Sequence, residues 1–278
     1  MSAPHEPPFT VTAKVLDLVA QISEEIGRQR LLQDGALTPT LRRGNRLRSI
    51  QASLAIENNA LSLEQVTAVI AGKRVLGPQR EIQEVRNAFA AYEALAGWKP
   101  SSQKDLLAAH RLLMTGLVTD AGRYRSKGVG IAQGTKVIHL APPAARVPGL
   151  MKDLLAWLKR TEVHPLVASS VVHYELEFIH PFADGNGRMG RLWQTLILSR
   201  WQSQLAWLPV ETVIRDRQAE YYRALAVADQ QGHATVFVEF LLSALLQALR
   251  EFSSTDQVTD QVTDQVKMLL ECLGNQTL

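Results

Sequence analysis

Apolar residues along this 278-residue chain recur mostly at steps of three and four, the spacing of one helix face. Val15, Val19, Ile22 and Ile26 predict a first helix, ending near Gly27 or Asp34-Gly35. Thr38-Pro39 opens a second that runs through Ser53-Leu54-Ala55-Ile56-Glu57-Asn58. Ser62 and Gln65 form a capping box for a helix reaching about Ala71, broken by Gly72 and Gly77-Pro78. Ile82, Val85, Phe89 and Tyr92 predict a long amphipathic helix before the break from Gly97 to Ser102, and Leu106, Leu107, His110, Leu113 and Leu117 mark the next. After Pro142-Pro143 and Pro148, Leu150, Leu154 and Leu158 start another. Val167, Val171, Tyr174 and Phe178 predict a helix up to His180, where Pro181, lacking an N–H, stops it. Met189, Leu192 and Leu196 resume the period from near Gly187. Trp207-Leu208-Pro209 reads as a turn, followed by helices over Arg217 to Ala228 and Val236 to Leu249.

One stretch breaks the period. Val129 and Ile131, then Val137, Ile138 and Leu140, flank Gln133-Gly134-Thr135, the pattern of a hairpin. Two strands in a helical chain have little sheet to join. The fold class expected is therefore all-α with one small β-hairpin.

Composition narrows this picture only slightly. Hydrophobic residues make up 46% and aromatic residues 6%, which suits an alanine- and leucine-rich helical protein. A net charge of +3 is too small to argue for nucleic acid. The cluster Arg42, Arg43, Arg46 and Arg48 reads as a solvated helix face in preference to a nucleic-acid patch. Cys272 is the single cysteine, so an intrachain disulfide and a cysteine-based metal cluster are excluded. No apolar run approaches membrane-spanning length, and Met1 to Phe9 lack a signal-peptide core; a soluble cytoplasmic protein without a membrane partner is expected. Thr-Asp-Gln-Val occurs three times from Thr255 to Val266, putting its valines in one slowly drifting stripe.

The chemistry concentrates between Ile179 and Arg191, I-H-P-F-A-D-G-N-G-R-M-G-R. Gly185-Asn186-Gly187 stands at the mouth of a helix, where unpaired N–H groups and the positive dipole end favour a phosphate. Arg188 and Arg191, three apart, project one turn further on with guanidinium forks that suit phosphate oxygens. Asp184 is placed to hold Mg²⁺ against those phosphates. His180, at the loop edge, is placed to take a proton from an incoming hydroxyl. A lone His-Pro or Gly-Asn-Gly is usually structural; all of these together read as a triphosphate site with its own base. Position for position, His180 to Arg191 resembles the H-P-F-x-D-G-N-G-R-x-x-R signature of Fic-domain protein adenylyltransferases.

That resemblance implies a Fic helical fold and AMP transfer from ATP to a Tyr, Ser or Thr hydroxyl of a target protein or of the chain itself. His180 would be the base and Asp184 the Mg²⁺ ligand. Gly185, Asn186, Gly187, Arg188 and Arg191 would hold the ATP phosphates, with Tyr221 or Tyr222 in a Y-Y-x-x-L segment stacked on adenine; a half-buried tyrosine between helices is the equal alternative. Ser53 and Glu57, at i and i+4, are similar to the inhibitory S/T-x-x-x-E-G/N motif of one class of the family (class II), in which the glutamate pairs with the second signature arginine and blocks the γ-phosphate. Here that pair is Glu57 and Arg191. Asp120 to Arg125 resembles the family's G-x-Y/F-R segment, with a structural role. The hairpin resembles the flap on which a target segment adds as a strand, with Lys136, Val137 and Ile138 as docking residues. Domain boundaries follow the same likeness: 1–100 an N-terminal region with the inhibitory helix, 101–252 the catalytic core, and 253–278 a linker with the start of a truncated winged-helix-like domain, whose missing remainder is the only part through which DNA would be a partner. Homodimers occur among such proteins. Alternatives are an enzyme that also removes AMP, a doc-type kinase, disfavoured because Gly187 stands where those carry Lys, and a DNA-binding regulator, which leaves residues 180–191 unexplained.

Overall fold

Local start and stop signals cut the chain into helices. Thr38 caps α2 (Pro39–Ile56) by accepting the Leu41 N–H, with Pro39 in the first turn. Ser62 and Gln65 close a reciprocal capping box on α3 (Leu63–Ile70). Ser102 caps α5 (Gln103–Met114) through the Asp105 N–H. The computed structural model describes residues 6–32, 38–128, 130–133 and 136–251, with side chains described outside 30–37 and 129–140. Within those limits it also contains α1 (Ala13–Leu32), α4 (Gln79–Ala94), α6 (Val147–Arg160), α7 (Pro165–Ile179), α8 (Asn186–Trp201), α9 (Val210–Asp216), α10 (Gln218–Gln231) and α11 (235–251).

The centre of the molecule is α7. Every residue from Leu166 to Leu176 is buried, as expected of a helix surrounded by others. Alpha-helix α8 packs along it, and Gly190 sets how closely: a Cβ there would stand 2.6 Å from His173 Cδ2. Helix α2 lies against α9, α4 and α8, and Glu57 at its C-terminus reaches Gly187 and Arg191 of α8. Gly130–Gln133 (β1) and Lys136–Leu140 (β2) pair antiparallel, with an irregularity between Ile131 and Ala132. The docking expectation for Lys136, Val137 and Ile138 concerns side chains outside the described ones, as does the Thr-Asp-Gln-Val tail. Among the described residues no helix is long and apolar enough to cross a membrane.

Several boundaries depart from expectation for physical reasons. Of the two ends read for α1, Gly27 is passed and the helix runs on to Leu32, near the second, because one glycine weakens a helix without ending it. Pro148 does not close the preceding loop; it sits in the first turn of α6, where a missing N–H costs nothing. Helix α9 follows Pro209, where the sequence suggested only a turn. The basic face of α2 is solvated only in part. Arg43 and Arg48 are exposed, whereas Arg46 is buried between rings, its guanidinium 4.7 Å from the Tyr92 centroid and 4.4 Å from that of Trp207.

Candidate active site

The loop from His180 to Gly185 is braced from four sides. His180 caps α7 in the left-handed region (φ 48°, ψ 59°), a conformation a non-glycine residue adopts only when its surroundings hold it there. Arg125 supplies that hold. Its Nε donates to His180 O at 2.7 Å, its Nη2 to Ile179 O at 3.2 Å and Pro142 O at 2.6 Å, and its backbone N–H to Pro181 O at 2.9 Å. Asn186 braces the loop from within: its Nδ2 donates to Phe182 O and its Oδ1 accepts the Phe182 N–H, both at 2.9 Å. Phe182 is fully buried and stacks on His110 at 3.7 Å between centroids. His110 Nδ1 accepts the Gly122 N–H at 2.8 Å, so its proton sits on Nε2, which donates to Asp184 O at 3.0 Å. Burial lowers the His110 pKa to about 4, so the ring is neutral and acts as a fixed brace. Gly185 turns the chain at φ 84°, where a side chain would also strike Met114 Sδ.

The loop delivers its groups to the N-terminus of α8, which carries no side-chain cap. Asp184 is 40% exposed. Its Oδ1 accepts from Gly185 N–H at 2.6 Å and Arg188 Nη2 at 3.1 Å, and its Oδ2 from Arg80 Nη2 at 2.9 Å. Arg188 is buried and lies 3.4 Å from Glu84 Oε1 through Nη1. His180 Nδ1 lies 3.3 Å from Glu177 O; a carbonyl only accepts, so Nδ1 carries the proton and Nε2 holds the basic lone pair.

Arg191 joins this cluster to α2. It is 2% exposed; Nε donates to Ser53 Oγ at 3.0 Å, and Nη2 to Ser53 O at 3.0 Å and Glu57 Oε1 at 2.8 Å. Burial opposes its charge, but Glu57, Tyr221 and Glu177 outweigh that and raise its pKa. The Glu57 carboxylate lies over Gly187, so that a Cβ on Gly187 would run into Glu57 Oε1. Ser53 and Glu57, one helical turn apart, thus meet one guanidinium more than a hundred residues downstream.

Two expected nucleotide contacts need correction. The Asn186 side chain is buried and bonded to Phe182 through its oxygen and one amide hydrogen, so beyond its backbone N–H it has only the second amide hydrogen to offer a phosphate. Tyr221 is 1% exposed and packs against Phe237 and Phe240, so it offers no ring face to adenine. Its neighbour Tyr222 is 45% exposed and donates to Ile56 O at 3.3 Å, beside Glu57. Arg125, read from the sequence as part of a structural segment, braces the loop, whereas Arg80, Glu84 and Glu177 were not foreseen as parts of the site. The one sequence signal of these three is charge within a helix.

Among the described residues no group of three metal-ligating side chains comes together. Asp184, an accessible hard oxygen ligand at the α8 N-terminus, fits Mg²⁺ as one carboxylate that works together with substrate phosphates, the common arrangement for that ion.

The described residues thus form a helical protein in which the His180 loop leads into an uncapped helix N-terminus followed by two buried arginines. The description Fic/DOC family matches residues 100–198, which span α5 to most of α8. A crystal structure of a Fic family protein from Desulfovibrio desulfuricans G20 is 67% identical, with a TM-score of 0.88 over 91% of this chain and 78% of that one. The chain belongs to the Fic family. Protein adenylyltransferase fic-1 of Caenorhabditis elegans is 32% identical over 202 residues, covering 68% of this chain and 37% of that protein. Protein adenylyltransferase Fic of Culex quinquefasciatus is 28% identical over 228 residues, covering 77% and 43%. The chain thus spans less than half the length of these curated relatives. A structure of C. elegans fic-1 has a TM-score of 0.69 at 25% identity, over 88% of this chain and 72% of that one. Ser53 and Glu57 lie ahead of the matched 100–198 span.

Proposed function

We propose that the chain transfers AMP from ATP to a Tyr, Ser or Thr hydroxyl of a target protein or of itself, and that Glu57 holds this activity back. The single observation that carries the reading is Glu57 on the buried Arg191 guanidinium at 2.8 Å, against Gly187 in the first turn of the uncapped α8 that the His180 loop leads into. Relatives named protein adenylyltransferases point the same way.

The geometry supports the following division of labour. Backbone N–H groups of the first turn of α8 and the Arg188 and Arg191 forks receive the phosphates. Bound at Asp184, Mg²⁺ would supply charge neutralisation for those phosphates. His180 takes the hydroxyl proton at Nε2, its other nitrogen fixed by Glu177 O, while the hydroxyl oxygen attacks the α-phosphorus and pyrophosphate leaves. Arg125 and Asn186 act through the loop, holding His180 and the α8 start in register. Exposed Tyr222 is the tyrosine left to meet adenine. The β1–β2 hairpin is the expected dock for an extended target segment.

Glu57 and a phosphate compete for the same guanidinium, and a bound carboxylate within hydrogen-bond reach keeps the γ-phosphate out. An assay with ATP labelled separately at the α- and γ-phosphates tests the reaction class. Label entering protein from the α-position only, and lost with His180→Ala, is expected. Label from the γ-position alone means phosphoryl transfer and contradicts the proposal.

A further inference from the structure

Two carboxylates, not one, face the contested arginine. A Cβ on Gly187 would stand 3.1 Å from Arg191 Nη1 and 3.3 Å from Glu177 Oε1, as well as against Glu57 Oε1. Arg191 gives Nε and Nη2 to Ser53 and Glu57, whereas its buried Nη1 has no hydrogen-bond partner. One buried guanidinium therefore stands beside two acids, Glu177 nearly buried and Glu57 open to water. Such an arrangement favours one of the acids being neutral.

Burial says which: the Glu177 side chain is 11% exposed and that of Glu57 34%. The Tyr221 hydroxyl, 3.2 Å from Nε2 of the fully buried His173, donates to Glu177 Oε1 at 3.2 Å, so a neutral Glu177 carries its proton on Oε2.

We propose that Glu177 is a proton-carrying positioning residue of the Arg191 cradle: neutral while an anion sits on Arg191, ionised when that seat is empty. Glu57 is the anion in the present structure, and on the AMP-transfer reading, on which this step rests, a nucleotide phosphate takes its place. Seating either anion moves one proton from solvent onto a Glu177 oxygen. Emptying the seat returns it, and the Nη1 side of Arg191 then faces a Glu177 carboxylate.

The groups facing Glu177 agree with this coupling. They are Glu57 at the end of α2, Arg191 on α8, His173 on α7, and Tyr221, Tyr222 and Asp229 on α10. Burial first, then the Glu57 charge, holds the Glu177 carboxyl up to about 7, with Arg191 and the Tyr221 hydroxyl pulling the other way. Removing Glu57 deletes one of the two large upward causes, so the carboxyl should ionise at lower pH.

Infrared difference spectroscopy of the ligand-free protein over a pH series from about 5 to about 9 reads this directly. A neutral carboxylic-acid carbonyl band is expected in wild type, absent in Glu177→Gln and weakened in Glu57→Ala. No band assignable to Glu177, or an undiminished one in Glu57→Ala, overturns the proposal. Calorimetric titration of Glu57→Ala with Mg-ATP, in buffers of different ionisation heat, supplies the second arm. Net proton uptake is expected, with affinity falling about tenfold per pH unit once the empty-seat carboxyl is ionised. Both effects vanish in Glu57→Ala/Glu177→Gln. Proton uptake that persists in the double variant also overturns it. Failure of both variants to bind ATP sinks the nucleotide reading, while the infrared bands still decide the proton claim.

Discussion

Removing the Glu57 carboxylate should make the protein less stable even as it frees the site. The Arg191 side chain is 1% exposed and that of Glu57 34% exposed. Deleting one partner of a fully buried ion pair costs roughly 3–5 kcal/mol, because the other charge is left without compensation. Water reaches Glu57 here, and Arg191 keeps its two bonds to Ser53, so Glu57→Ala should cost less, about 1–3 kcal/mol. Alanine suits the site: residue 57 has φ −95° and ψ 22°, so no backbone strain is introduced. For a chain of this size each kcal/mol moves the melting temperature by roughly 2–4 °C, giving a fall of about 2–12 °C. Mg-ATP should restore much of it, since ligand at a hundredfold excess over its Kd adds about 2.7 kcal/mol. Scanning calorimetry of wild type and Glu57→Ala, each with and without Mg-ATP, checks this. A variant that melts at or above the wild-type temperature, with no larger response to nucleotide, would refute the competition for Arg191.

Arg125→Ala leaves the His180, Ile179 and Pro142 carbonyls without their donor, and should lower transfer at least tenfold while ATP binding stays near wild type, because it loosens the base and not the phosphate cradle; equal losses in binding and turnover would argue against a positioning role. Gly190→Ala places a Cβ 2.6 Å from His173 Cδ2 and 2.9 Å from Nε2, and should cost about 1–3 kcal/mol in denaturant unfolding by forcing α7 and α8 apart; an unchanged midpoint would show that the helices are less closely packed. Burial lowers the His173 pKa to about 3 and that of His110 to about 4, so the stability they support is present above pH 6.5 and is lost as the pH falls through the window below it. Glu177, raised to about 7, acts in the opposite sense, taking up its proton earlier in the folded chain and adding stability as the pH falls from 7 toward 4.5. Glu177→Gln should therefore lose stability more steeply than wild type on acidification below pH 7, and parallel urea-unfolding curves for the two would contradict it.

What the sequence made legible was the part of the site written in consecutive residues. Pro181 and Gly185 mark where α7 stops and α8 begins, and the i, i+4 spacing of Ser53 and Glu57 puts both on the one face that meets Arg191. Periodicity also located the buried sides of α4, α7 and α8. It could not say what a buried polar side chain pairs with, because those partners lie far apart in the chain: Arg125 with His180 O, His110 with Asp184 O, Tyr221 with Glu177. The Asn186 side chain is a local case, its oxygen and one amide hydrogen being taken by Phe182 four residues back. The two adjacent tyrosines were indistinguishable in sequence, and only the packing of α10 against α11 turns Tyr221 inward and leaves Tyr222 facing out.

The most direct test of the account compares AMP incorporation from ATP labelled at the α-phosphate, with Mg²⁺ present, by wild type, Glu57→Ala and Glu57→Ala/His180→Ala. Weak labelling in wild type, strong labelling in Glu57→Ala and none in the double variant is the predicted result. Equal labelling by wild type and Glu57→Ala, or undiminished labelling without His180, would contradict it.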